Sequence, residues 1–472
     1  MEETVKNPLG TEKISRLLAK FAIPSIIAMV VGACYNIIDQ LFIGNVIGEL
    51  GNAATNIVYP LTNLCLAFGL MYGHGGAAAF NLRMGAGKKK EAPYFLGNSA
   101  TMLIIIGVVI GLLVEVFCDP VLMLCGSTTS VLPFAHDYAV ILALGFPAAV
   151  FSMGAGHLIR ADGRPNVIMI TNILGAIINI GLDAWFIVGL GMEMKGAALA
   201  TIIGQYAAAA IQFYFVFNFK TVKVSLKHYV PKLKYFGNAA KLGLTAFINQ
   251  IAMMIVQIVL NNQLNIYGGQ SIYGKEIPLA VAGITIKVST IFSGIIIGIT
   301  QGFQPIISFN YGAENYRRVK ETFFRAFIIA FIVSIINFII YQCFPDFILG
   351  LFGSGSDLYF EFGRKFFRIY IFFCCLFFIQ MMSANMFTAI GKPGRGIFLS
   401  LTRQIIFLLP LLLILPGIFG IDGVIFAQPV SDFVSITVSM IFLIKEYTRE
   451  EYKKEKGVLK EIFIKKKEKD IG

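Results

Sequence analysis

Asp39 and Asp183 are the residues of this sequence best placed to do chemistry. They sit in YNIIDQLFIG and NIGLDAWFIVG, apolar stretches with hardly any other charge nearby. A carboxylate at the centre of a bilayer-spanning helix costs roughly 2.5 to 3.5 kcal/mol, so it normally faces a polar cavity and has work there. Helical spacing supplies partners: Tyr35 stands one turn before Asp39 and Asn179 one turn before Asp183, each sharing a face at i,i+4. Counting about 1.5 Å per residue inward from the outer loops brings Asp39, Asp183 and Thr201 to a common depth of roughly 8 to 9 Å. Two acids, an amide, a hydroxyl and a phenol can share one proton, because adjacent carboxylates resist double ionisation. Asp39, Asn179, Asp183 and Thr201 can equally offer oxygens to one Na⁺. The set reads as the coupling-ion site of a transporter. The plain alternative is that both acids only hydrogen-bond neighbouring helices near the outer interface. Such a contact yields only about 0.6 to 2 kcal/mol in membranes, less than one buried acid costs.

A second charged set is Lys287 and Asp432. Each lies about ten residues inward along its own helix, near the midplane, and the matched depth predicts an ion pair. The alternative leaves Lys287 snorkelling and Asp432 hydrogen-bonded with Ser431.

Membrane helices must position these groups. Hydrophobic residues make up 57% of the chain and charged residues 14%, with mean hydropathy +0.75, which excludes an ordinary soluble domain. Apolar runs long enough to span fall at roughly 15–43, 53–82, 93–117, 133–160, 166–190, 195–218, 238–266, 277–309, 318–344, 358–390, 395–418 and 422–445. The first carries Pro24 and no short signal-peptide core, so it reads as a retained helix, with Pro24 a candidate hinge. The second half re-reads the first at an offset near 228. GLMYGHGGAAAFNLRMGAGKKK matches GITQGFQPIISFNYGAENYRR, and ADGRPN (Ala161 to Asn166) matches AIGKPG (Ala389 to Gly394). The predicted fold class is therefore an all-α polytopic membrane protein, twelve transmembrane helices in two six-helix pseudo-symmetric bundles related by an axis along the membrane normal. The expected divisions are an N-lobe over 1–218, a basic linker over 219–237 acting as hinge, a C-lobe over 238–446 and a basic tail over 447–472.

The net charge of +12 does not signal nucleic acid, because 33 of the 39 Lys and Arg residues fall in loops and termini on one side. The positive-inside rule makes that side cytoplasmic and puts both termini there. Seven cysteines give no disulfide framework or CxxC spacing, although Cys118 and Cys125 could pair, and the four histidines give no metal motif. His157 reads as a helix-end polar residue.

The stretch from Pro24 through Asp39 to Gly44, GAGKKKEA after helix 2, ADGRPN after helix 4 and the matching second-half blocks together resemble the MATE (multidrug and toxin extrusion) family, nearest its DinF-like and MepA-like bacterial branch. That resemblance implies a cation site in the first lobe at Asp39, Asp183, Asn179 and Thr201, with Tyr35 nearby. It does not supply the helix-7 carboxylate of NorM-like members, since GLTAFINQIAMMIVQIVLNNQ offers only amides. It also implies small organic cations and drugs as substrates. Met153, Met253, Met254, Met381, Met382 and Met386, with Gln250 and the aromatic run IYIFFCCLFFIQMM, are candidates for an adaptable cavity wall.

The expectation is a secondary-active antiporter, not an enzyme, exporting amphipathic, mostly cationic compounds in exchange for H⁺ or Na⁺ by alternating access. It would work as a monomer in a bacterial cytoplasmic membrane, with no cofactor and no nucleic-acid partner. No P-loop GxxxxGK[ST] occurs for ATP hydrolysis. The rivals are a lipid-linked oligosaccharide flippase of the same superfamily, which would favour cavity arginines where none is expected, and an intramembrane enzyme or channel, for which no catalytic dyad or pore ring is present.

Overall fold

The computed structural model describes residues 7–127, 129–352 and 356–449. Lipid offers no hydrogen bonds to a backbone, so apolar runs of this length close their own ladders as helices. The spans are α1 (Ile14–Val46), α2 (Glu49–Gly85), α3 (Ala92–Val116), α4 (Leu132–Ala161), α5 (Pro165–Gly189), α6 (Glu193–Phe217), α7 (Leu233–Gly269), α8 (Glu276–Gly312), α9 (Tyr316–Cys343), α10 (Asp357–Ile369 with Cys374–Ala389), α11 (Pro393–Phe419) and α12 (Ile421–Tyr447). Among the described residues eleven helices are long and apolar enough to cross a membrane, and a twelfth span is made by a bent pair of helices.

That one is α10, whose halves meet at 49°. Its first half, DLYFEFGRKFFRI, is amphipathic and its second is apolar, so the two seek different surroundings. Three-residue turns at Phe372, Cys374 and Leu376 replace the α-helical ladder between them.

The repeated loops end and start helices in the same way in both halves. Gly163 at φ +86° and Gly391 at φ +76° take the left-handed conformation just past α4 and α10, and Pro165 and Pro393 open α5 and α11. In the first half the buried Asp162 carboxylate then accepts the N–H groups of Lys220 (2.7 Å) and Thr221 (2.8 Å), fastening this loop to the exit of α6. Burial pushes the Asp162 carboxyl up, against the opposing pull of these hydrogen bonds and of Arg164. In the second half the acid is on the other partner. Fully buried Glu446, at the end of α12, holds Lys392, Arg395 and Arg449 around it.

The linker differs from expectation. It is no free hinge, because residues 220–232 are fastened to the first lobe. Asn98 bonds the His228 carbonyl (2.8 Å) and the Lys232 N–H (2.6 Å), Thr101 bonds the Tyr229 carbonyl (2.7 Å), and Tyr94 packs against His228 and Tyr235. The expected tail lies outside the described residues from 450 onward.

The lobes touch where α1 meets α8, where α2 meets α7 and where α2 meets α8, at the ends nearest the basic loops. Backbones meet there without side chains between them. A Cβ on Gly243 would stand 1.7 Å from the Met71 carbonyl oxygen, and one on Gly75 2.0 Å from that of Ala239. Across the seam of α1 with α8, Gly298 and Gly302 receive Ile26 and Ala22. The first turns of α1 join the second lobe's core, with Leu17, Leu18 and Phe21 against Ile299, Phe303 and Phe323. Away from these ends the lobes part.

Candidate functional site

Where the lobes part there is a cavity of about 500 Å³, walled on the first lobe by α1, α2, α4 and α6 and on the second by α8. Asp39 reaches its wall from α1, with Tyr35 one turn away. Asp183 is the last α-helical residue of α5. A π-helical turn, Ala184–Gly189, follows it, an irregularity that concentrates at functional positions. Asp183 is fully buried, Asn179 is 3% exposed and Asp39 is 8% exposed.

The helical spacing works as expected. With its amide turned to suit both neighbours, Asn179 donates to Asp183 Oδ2 at 3.2 Å and accepts from the Thr201 N–H at 3.3 Å. The carboxyl groups of Asp39 and Asp183 lie within hydrogen-bonding reach of each other. Asp39 Oδ1 and Asp183 Oδ1 are buried with no hydrogen-bond partner. The structure thus brings Asp39, Asp183, Asn179, Thr201 and Tyr35 together. It adds Tyr138 of α4, which lines the cavity together with Thr201. Sequence reading missed Tyr138, since nothing but its place in an apolar run marks it.

Lys287 and Asp432 do not meet. Asp432 is paired instead with Arg403 (Nε to Oδ1, 2.7 Å) and takes Gln428 Nε2 at 3.2 Å on both oxygens, while the guanidinium stacks 4.1 Å from the Phe377 ring centre. A second π-helical turn, Thr402–Leu408 in α11, carries Arg403. Sequence reading had placed Arg403 with the basic loop, and its position ten residues past Pro393 was the overlooked signal. Ser431 donates to the Arg403 carbonyl, not to Asp432. Lys287 is exposed on the cavity face of α8.

Other expected positions also move. Of the methionines only Met153 lines the cavity, whereas Met382 and Met386 are buried in the second lobe's core and Met381 packs against it. Met253 is 47% exposed and Met254 half-buried, neither on the cavity wall. Gln250 bridges the lobes by donating to Asn63 Oδ1 at 2.5 Å. Pro24 is buried in an unbroken α1, between the seam residues Ala22 and Ile26. His157 stands four residues before the end of α4, as expected, but it is buried, stacks on His74 with centroids 5.5 Å apart and meets buried Arg160 at 3.4 Å. Arginines therefore do lie within spans, Arg160 buried and Arg403 half-buried, although neither lines the cavity. Cys118 and Cys125 are free thiols. Ligand atoms of Cys118, Asp119 and His136 lie within 4.8 Å of one another, a grouping that sequence spacing did not show and that the His136–Asp119 contact of 2.7 Å accounts for.

The MatE family profile matches residues 24–185 and 246–414. Multidrug export protein MepA of Staphylococcus haemolyticus (strain JCSC1435) is 25% identical over 432 residues, 91% of this chain and 93% of that protein. MepA of Staphylococcus aureus (strain MSSA476) is 24% identical over 431 residues, with the same shares. A solved structure described as the outward-facing conformation of a multidrug resistance MATE family transporter of the MOP superfamily superposes with a TM-score of 0.86 at 23% identity, over 94% of this chain and 98% of its own.

Proposed function

This chain belongs to the MATE family of transporters, and on that premise we propose that it is a secondary multidrug antiporter, expelling amphipathic, mostly cationic organic compounds in exchange for H⁺ or Na⁺. The observation that carries this reading is the buried contact of Asp39 with Asp183 beside the inter-lobe cavity. Two carboxyl groups hydrogen-bond to each other only when one is protonated, since an ionised carboxylate is acceptor-only. Such a pair can share one proton, because adjacent carboxylates resist double ionisation. The partnerless oxygens Asp39 Oδ1 and Asp183 Oδ1, with the Asn179 and Thr201 oxygens, form a hard donor set that also suits Na⁺.

The cycle follows from where these groups stand. With the basic loops cytoplasmic by the positive-inside rule, the cavity opens outward and the glycine seams close the inner side. A coupling ion entering from outside neutralises part of the acid pair. A cationic substrate facing Asp39 then loses its counter-charge and leaves. Rocking the lobes exposes the pair to the cytoplasm, where the ion departs and a new substrate is held. The protein would be a multi-pass component of a bacterial cytoplasmic membrane, working as a monomer.

The flippase alternative is less favoured, because no arginine lines the cavity and Lys287 is its sole basic side chain among the described residues. Purified protein in sealed vesicles tests the proposal, driven once by a pH gradient without Na⁺ and once by a Na⁺ gradient at equal pH. Dye movement that consumes one gradient supports it. Lipid translocation with no dye movement in either would refute it.

A further inference from the structure

Lys287 is the one charged residue of the cavity that the ion-coupling reading does not use. Eleven residues into α8, at about 1.5 Å per residue, it stands roughly 16 Å from the helix start, well inside a membrane-length apolar helix. An ammonium at that depth is costly, and such groups face water-filled cavities and mark substrate pathways. Lys287 does face one, and it shares the wall of the same cavity with Asp39. Among the described residues no carboxylate pairs with it, and Asp432, the partner its depth suggested, is engaged by Arg403 and Gln428. One turn on, Thr290 lines the cavity too, its hydroxyl hydrogen bonded to the Ile286 carbonyl. The cavity is therefore bipolar: the Asp39 carboxyl on the first lobe, an unpaired ammonium on the second. At about 500 Å³ it is within the range of a drug-sized molecule.

We propose that Lys287 is an anion subsite within the transport cavity, seating the acid group of amphoteric substrates whose amine faces Asp39. This rests on the export reading above and adds to it a second recognition element and a substrate class, amphiphiles that carry both a basic nitrogen and a carboxylate. For a purely cationic compound the same ammonium is a repulsive neighbour. Lys287 thus ranks substrates by the presence of an acid group, and specificity comes from repulsion as much as attraction.

A matched pair of fluorophores reads this directly. Rhodamine 110 bears a free carboxylate, and rhodamine 123 is its methyl ester, a cation with the same ring system. Binding of each to the purified full chain is measured by fluorescence polarisation, for the wild type, Lys287→Met and Lys287→Arg. A charge-assisted hydrogen bond of ordinary strength predicts that Lys287→Met weakens rhodamine 110 about tenfold or more while rhodamine 123 binds equally or better, and that Lys287→Arg restores the wild-type ratio. An unchanged ratio of the two affinities in Lys287→Met overturns the subsite, as does a wild type that binds rhodamine 110 no better than that variant does. Gradient-driven efflux of the two dyes is followed separately. Its absence alongside charge-selective binding counts against the export reading and leaves the subsite standing.

Discussion

Replacing Gly243 with alanine should drive the lobes apart at their basic ends. The added Cβ would stand 1.7 Å from the Met71 carbonyl oxygen and 2.5 Å from its carbon, backbone atoms that no rotamer change can move. Carbon–oxygen contacts become comfortable near about 3.3 Å, so α2 and α7 must separate by roughly 1.6 Å at this level. Overpacking of this kind costs about 1 to 3 kcal/mol. That cost falls on the state with the seam closed and vanishes once the seam opens, so the balance between the two should shift about 5- to 150-fold toward opening. Spin labels at Lys88 and Lys320, exposed on the basic loops of the two lobes, report the separation by pulsed electron resonance in a background whose native cysteines are replaced. The distance distribution should gain a longer component in Gly243→Ala and in Gly75→Ala. Gly283→Ala, where a Cβ meets nothing within 4 Å, should leave it unchanged. A wild-type distribution in a normally folded Gly243→Ala protein would refute the seam as the element that sets the closed state.

Asp39→Asn and Asp183→Asn should each abolish gradient-driven efflux while inserting and folding normally, since an amide is cheaper to bury than the acid; wild-type transport by either single variant would remove the coupling assignment. Arg403→Met should lower stability by about 3 to 5 kcal/mol by stranding the Asp432 carboxylate, and adding Asp432→Leu should recover much of it. Additive losses in thermal unfolding of the double variant would show that the two groups are energetically independent. Lys287→Met, by contrast, should unfold at the wild-type temperature. Cysteines placed near Lys223 and Lys454 should resist impermeant thiol reagents in intact cells, and cysteines near Glu49 and Lys275 should react; the reverse pattern would invert the proposed orientation.

The fold was legible because lipid leaves so few options. Long apolar runs, Gly and Pro at the repeated loops and the offset of 228 specify spans, boundaries and duplication without tertiary knowledge. Asp39, Asn179 and Asp183 were legible for a related reason: a polar residue in such a run must be met by another, and helical spacing says which one. Arg403 was not, because assigning basic residues to loops by their charge hides one that is satisfied inside a span. A π-helical turn adds to the difficulty by breaking the period used to decide which face a residue presents. Tyr138 shares that fate, since a phenol among aromatics leaves no mark in hydropathy, whereas the break in α10 follows a change from charged to apolar sequence that reading the run as one span passes over. The methionines failed for the opposite reason. Their composition suggested an adaptable wall, but composition carries no facing.

The strap between Lys220 and Lys232 is bound along its length to Asn98, Thr101 and Asp162, so whatever the first lobe does the strap does with it. In the proposed cycle, relative rotation would be taken up past Pro231, inside or at the start of α7. Covalent continuity at that point contributes to assembly and not to motion: it keeps the second half at high effective concentration beside the first while both insert. A polypeptide divided just past the strap would leave two halves, the first carrying its own fastened end and the first turns of α1 that complete the second lobe's core. Reunion would rest on backbone shape at the glycine contacts, a form of recognition that tolerates little drift on either face.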